Sequence, residues 1–185
     1  MLEPARKEER FEEQLGPLMG LLYRYALRLT RDADGARDLV QDACLKAYQR
    51  LGQLKDEKKF RPWLLKIVFS TFADQRRKFS KKADKTSLDE SFVPGTQEIK
   101  EERMEAVANP EGEMLRRELG GKIKEALEGL PEEYRLPVFL AYAEGLSYEE
   151  VATALDCPVG TVMSRLYRGR KLLREKLETY GPFSQ

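Results

Sequence analysis

Histidine is absent from the 185 residues. Without imidazole there is no Ser-His or Cys-His nucleophile pair and no histidine-ligated zinc. Cysteine occurs only twice, at Cys44 and Cys157. Two thiols cannot complete a four-thiolate metal site or a disulfide framework, and their scarcity fits a reducing compartment. Long apolar runs are missing too. The longest uncharged stretch, 14–23, has ten residues, about half of what a bilayer-spanning helix requires. The opening MLEPARKEER has no apolar segment of the kind a secretory signal carries. Neither G-x-x-x-x-G-K-[ST] nor G-x-G-x-x-G occurs, so no phosphate cradle is announced. These gaps disfavour metal-, nucleotide- and imidazole-dependent enzymes. The expectation is a cytoplasmic protein with no cofactor and no membrane insertion.

Charge, in contrast, is plentiful: 35% of residues are Asp, Glu, Lys or Arg, and the formal sum is only +1. The distribution is segregated. Residues 60–82 hold seven basic side chains and one acidic; 83–113 hold three basic and nine acidic; 162–176 hold six basic and one acidic. Two basic blocks flanking an acidic stretch suggest two surfaces for a polyanion such as nucleic acid. Solvated helix faces rich in long basic side chains would give the same pattern.

Apolar periodicity predicts an all-α chain. Leu18, Leu21, Leu22, Tyr25 and Leu29 fall at helical spacing. After a break at 30–34 a second stripe runs through Ala36, Leu39, Val40, Ala43 and Ala47. Residues 53–59 (QLKDEKK) are polar and aperiodic, which predicts a loop. A third stripe uses Phe60, Trp63, Leu64, Ile67, Val68 and Thr71, with Pro62 in the first turn, where a missing N–H is tolerated. The stretch 81–117 is acidic, contains two prolines and has little apolar period, so it is expected to be a flexible linker. Helical patterns resume with Ile123, Leu127 and Leu130. Pro131 opens a further helix that Gly145 ends, and Pro137 inside it predicts a kink.

Residues 147–176, SYEEVATALDCPVGTVMSRLYRGRKLLREK, carry the most chemistry. Ser147 and Glu150 have the spacing of a capping box. Val151, Ala152 and Leu155 give a short helix one apolar side. Asp156-Cys157-Pro158 form a tight turn, and Val162, Leu166 and Leu173 face inward on a second helix. This is a helix-turn-helix pattern, whose second helix enters a major groove. Thr161, Met163, Ser164, Arg165 and Arg168 lie off the inward face and are candidates for base contact. Arg170, Lys171 and Arg174 are candidates for phosphate contact. A helical hairpin kept soluble by its arginines is the plainer alternative.

At these residues the chain resembles a known family. EGLSYEEVATALDCPVGTVMSRLYRGRKLLREKL is similar to the DNA-binding C-terminal region of bacterial RNA polymerase sigma factors of the extracytoplasmic-function group. LYRYALRLTRDADGARDLVQDACLKAYQRL resembles the group's polymerase-binding helices, and FRPWLLKIVFSTFADQRRK its minus-ten promoter helix. The resemblance implies two helical domains, residues 9–80 and 118–178, joined by the acidic linker, and no catalytic site. It implies minus-thirty-five contact by the second helix of the helix-turn-helix, and minus-ten contact by Phe60, Arg61, Trp63, Lys66, Ser70, Arg76 and Arg77. The loop 53–59 would help hold a flipped base. Asp38, Gln41 and Asp42 would face core RNA polymerase. The remaining implied partners are promoter DNA and an anti-sigma factor. The acidic linker would run near the path of nascent RNA, its charge imitating nucleic acid.

Two positions depart from the group's pattern. Ser70 stands where many members have Asn, and Met163 where Arg or Lys is common. The residues alone leave two other readings open: a helix-turn-helix regulator that binds DNA independently of polymerase, and a helical adaptor whose basic faces bind acidic proteins.

Overall fold

The structure, a computed structural model, describes residues 4–83 and 120–178. Every regular element among them is helical. The acidic stretch expected to be a linker lies, from residue 84 onward, outside the described residues. The chain divides into two compact units, built mainly from residues 1–98 and mainly from 99–185.

In the first unit α1 (Pro4–Leu15) passes through a 3-10 turn (Gly16–Leu18) into α2 (Met19–Thr30), followed by α3 (Ala33–Arg50) and α4 (Phe60–Ala83). The break between α2 and α3 is tighter than the sequence suggests. Arg31 takes the left-handed conformation, φ 57°, and its N–H donates to the Leu27 carbonyl at 2.8 Å. Asp32 then caps α3 by accepting from the Gly35 N–H at 2.6 Å. One strained residue and one cap reverse the chain. The segment 53–59 is also more ordered than a loop, with 3-10 turns at Leu51–Gln53 and Glu57–Lys59 and the Asp56 carboxylate accepting from the Lys58 N–H at 3.0 Å.

α2, α3 and α4 pack on one another pairwise. Their shared core contains Leu22, Tyr25, Leu39, Ala43, Leu64, Leu65 and Val68, as the apolar stripes predict. The Tyr25 hydroxyl is buried with no partner among the described residues; burial alone pushes its pKa far above the ordinary phenol range. The N-terminal helix is a feature the apolar stripes did not announce. α1 is strongly charged, yet its Phe11 is buried and packs edge-on against Tyr48 at 5.5 Å and Phe60 at 6.0 Å between ring centroids. Arg10 of α1 pairs with Glu57 at the surface.

The second unit holds α5 (120–128), α6 (Glu132–Val138), α7 (Tyr148–Ala154) and α8 (Val159–Glu178). The helix in which Pro137 is expected to give a kink carries a π-helical turn, Phe139–Ala143, directly after α6. Proline lacks an N–H and cannot continue the i to i−4 ladder, and the next turn closes i to i−5, with the Glu144 N–H donating to the Phe139 carbonyl at 3.2 Å. Gly145, φ 66°, ends it. Ala126, Leu130, Leu136, Val138, Phe139, Leu140 and Val162 fill the core. Ile123, expected inside, is exposed, and Ala126 is buried instead. Arg135 is buried and donates to the Glu128 carbonyl at 3.4 Å, setting a cation at the C-terminal end of α5.

Candidate nucleic-acid interface

The capping box forms. The Glu150 N–H donates to the Ser147 hydroxyl at 3.2 Å, and the Ser147 N–H donates to the Glu150 carboxylate at 2.8 Å. α7 ends where Asp156 adopts φ 51° and the Cys157 N–H reaches back to the Ala152 carbonyl at 3.0 Å. That backbone closure usually takes glycine; aspartate is among the few other residues that tolerate it. The Pro158 carbonyl then accepts from the Val162 N–H at 3.2 Å and opens α8.

α8 turns Val162, Leu166 and Gly169 inward. Leu173, expected to be inward, is only half-buried. Gly169 takes its place because α6 runs close: a Cβ there would lie 2.7 Å from Val138 Cγ2 and 3.3 Å from Tyr134 Cβ. In the sequence this glycine sits inside R-G-R and looks like part of the basic surface.

On the outer side of α8, Met163, Ser164, Arg168, Arg170, Lys171 and Arg174 are exposed, while Thr161 and Arg165 are half-buried. The Ser164 hydroxyl donates to the Thr161 carbonyl at 3.0 Å, so its proton is held within the helix. Tyr142 lies beside Tyr148 and Arg170. Partial burial first, and then Tyr148, push the Tyr142 hydroxyl above the ordinary phenol range, with Arg170 pulling the other way. Tyr167, not singled out from the sequence, is the most exposed large hydrophobic side chain on this helix, at 67%.

α4 treats its basic block differently. Phe60, expected at a DNA surface, is only 4% exposed, locked between Phe11 and Trp63. It is corrected to a support beneath Trp63, since a ring held on two sides by aromatic contacts offers no face to a base. Trp63, Arg61, Lys66 and Ser70 are half-buried. The Ser70 hydroxyl donates to the Ile67 carbonyl at 3.0 Å, so its proton is already committed. Arg76 stacks over Phe72 at 5.7 Å, and Arg77 pairs with Asp74 at 2.6 Å. Lys46, Asp74, Arg77 and Lys78 line an open groove between α3 and α4.

Asp38, Gln41 and Asp42 are all exposed on α3, and Gln75 of α4 donates to Asp42 at 3.0 Å. Leu45 falls on the same face at i, i+3, i+4, i+7 spacing and is 57% exposed. Leu45 adds an apolar side chain to this polar row, which the polar reading of the helix missed. The period itself could have found it. Cys44 beside it is half-buried, and burial pushes its thiol pKa up. Among the described residues no cluster of three metal-ligating side chains forms, and no helix is long and apolar enough to cross a membrane.

Comparison with known proteins agrees with this geometry. The family description "Sigma-70 region 2" matches residues 17–82 and "Sigma-70, region 4" matches residues 120–173. The chain is 34% identical over 164 residues to the RNA polymerase sigma-H factor of Pseudomonas aeruginosa, covering 87% of this chain and 80% of that protein. It is 36% identical over 146 residues to the ECF RNA polymerase sigma-E factor of Escherichia coli, covering 76% and 73%. Among solved structures, the sigma factor RpoE in complex with the anti-sigma factor NepR, from Bartonella quintana, superposes with a TM-score of 0.72 at 26% identity, covering 92% of this chain and 98% of that one. CnrH in complex with the cytosolic domain of CnrY shares the fold, with a TM-score of 0.61 at 21% identity over 94% and 91%. The chain belongs to the extracytoplasmic-function group of the sigma-70 family: it is an alternative sigma factor, a transcription initiation factor and not an enzyme, that directs RNA polymerase to promoters.

Proposed function

We propose a division of labour in which residues 118–178 read the minus-thirty-five element as duplex and residues 9–80 bind core polymerase and take the minus-ten element as it opens. The observation that carries the first half is the outer side of α8, where Met163, Ser164, Arg168, Arg170, Lys171 and Arg174 stand exposed behind a formed capping box. Arg168 is placed to reach base edges, Arg170, Lys171 and Arg174 to reach phosphate. On α4, Trp63 supported by Phe60 offers the partly open aromatic surface for an unstacked base, with Arg61, Lys66, Arg76 and Arg77 supplying charge along the strand. The exposed row Asp38, Gln41, Asp42 and Leu45 docks core polymerase. The protein works in the cytoplasm, alongside polymerase. An anti-sigma partner is supported by the RpoE relative, whose structure includes NepR.

Run-off transcription with purified core polymerase over a library of promoter fragments tests the assignment. Initiation that depends on this protein, at fragments sharing spaced upstream and minus-ten elements, is the expected result. Leu45→Glu, at an exposed position, is expected to weaken assembly with core polymerase at least about tenfold, as loss of an interface anchor does. Full transcription by that variant would remove α3 as the polymerase contact.

A further inference from the structure

α8 places two large apolar side chains where a groove-reading helix is expected to be polar. Met163 is 54% exposed and Tyr167 is 67% exposed, and they lie one turn apart at i, i+4. The same edge continues into Arg170 and Arg174, and the opposite edge carries Thr161, Arg165 and Arg168. No acidic residue occurs anywhere from 159 to 174. An apolar pair set in an all-cationic surface has the charge complementarity of a polyanion that itself carries methyl groups.

We propose that Met163 and Tyr167 read the C5-methyl groups of thymines in the major groove of the upstream promoter element. The inference rests on the reading of α8 as the minus-thirty-five helix. Two observations point to thymine. Neither side chain can offer the paired donors that guanine O6 and N7 call for, whereas a thioether and a phenol ring suit apolar contact with a methyl group. Ser164, between them, has its hydroxyl proton held by the Thr161 carbonyl at 3.0 Å, so it adds no donor at this edge. Direct base donors are thereby left to the opposite edge, at Arg168 and the half-buried Arg165. One edge of the helix reads methyl groups and the other reads acceptors.

The test uses the holoenzyme assembled from this chain and core polymerase. Upstream elements are first selected from randomised duplexes; each selected thymine is then replaced singly by deoxyuridine, which lacks only the methyl group. One or two neighbouring thymines are expected whose replacement weakens wild-type binding roughly fourfold, the value of one buried methyl. The penalty at one of these is expected to vanish in Met163→Ala, and at its neighbour in Tyr167→Ala, as a double-mutant cycle between contacting groups requires. Circular dichroism of both variants guards against unfolding. A selected element without such thymines, or deoxyuridine penalties that persist in both variants, overturns the inference and leaves promoter reading by α8 intact. Unchanged duplex affinity combined with weaker assembly on polymerase overturns it in favour of a protein contact. Failure to select any upstream element removes the underlying reading, and the inference with it.

Discussion

α4 and α8 carry almost the same arithmetic and use it in different ways. Each is a long, strongly basic helix: α4 has seven basic side chains and one acidic, α8 six basic and two acidic. α4 is built into its unit: Phe60, Leu64, Leu65, Ile67, Val68 and Thr71 are buried, and its polar residues Lys66 and Ser70 sit at the margin of that core. α8 rests on its unit along one line, with only Val162, Leu166 and Gly169 buried among its described residues. A helix buried around much of its circumference has few positions free to change without a packing cost. A helix held along one stripe can vary its outer face while its fold stays fixed. Fold and the proposed DNA contact are therefore entangled on α4 and separable on α8.

The largest expected effect follows from that entanglement. Phe60→Ala leaves a cavity between Phe11 and Trp63, at a cost of about 3–5 kcal/mol. Urea unfolding followed by Trp63, the single tryptophan, measures it. Tyr167→Ala on the outer face of α8 should stay within roughly 0.5 kcal/mol of wild type. Comparable losses in the two variants would erase the contrast between the helices.

Gly169→Ala is smaller and sharpens the comparison, because it tests the one line where α8 is as closely packed as α4. The added methyl meets Val138 Cγ2 at 2.7 Å, and Val138 is itself buried and branched. Overpacking of this kind costs about 1–3 kcal/mol. Hydrogen exchange across residues 120–178 should quicken accordingly; an unchanged pattern would mean that α6 and α8 can part cheaply.

Ser147→Ala has the smallest effect, about 1 kcal/mol, from loss of the hydroxyl that accepts from the Glu150 N–H. Faster exchange confined to the first turn of α7 is the expected signature, with α4 unaffected.

The sequence by itself determined the all-α class, the core stripes of α2, α3 and α4, the capping box and the turn into α8. Each depends on neighbours within a few residues, and helical period and local hydrogen bonding are short-range. Only the tertiary structure decided that Phe60 is a support, because its neighbour Phe11 arrives from a charged helix whose lone aromatic gives no stripe. It alone decided that Ala126 is buried while Ile123 is exposed, and that Gly169 faces Val138 while Leu173 stays half-open. It likewise left Leu45 and Tyr167 uncovered. Which side of a helix is buried depends on how closely another helix approaches, and that distance is set by residues remote in the chain.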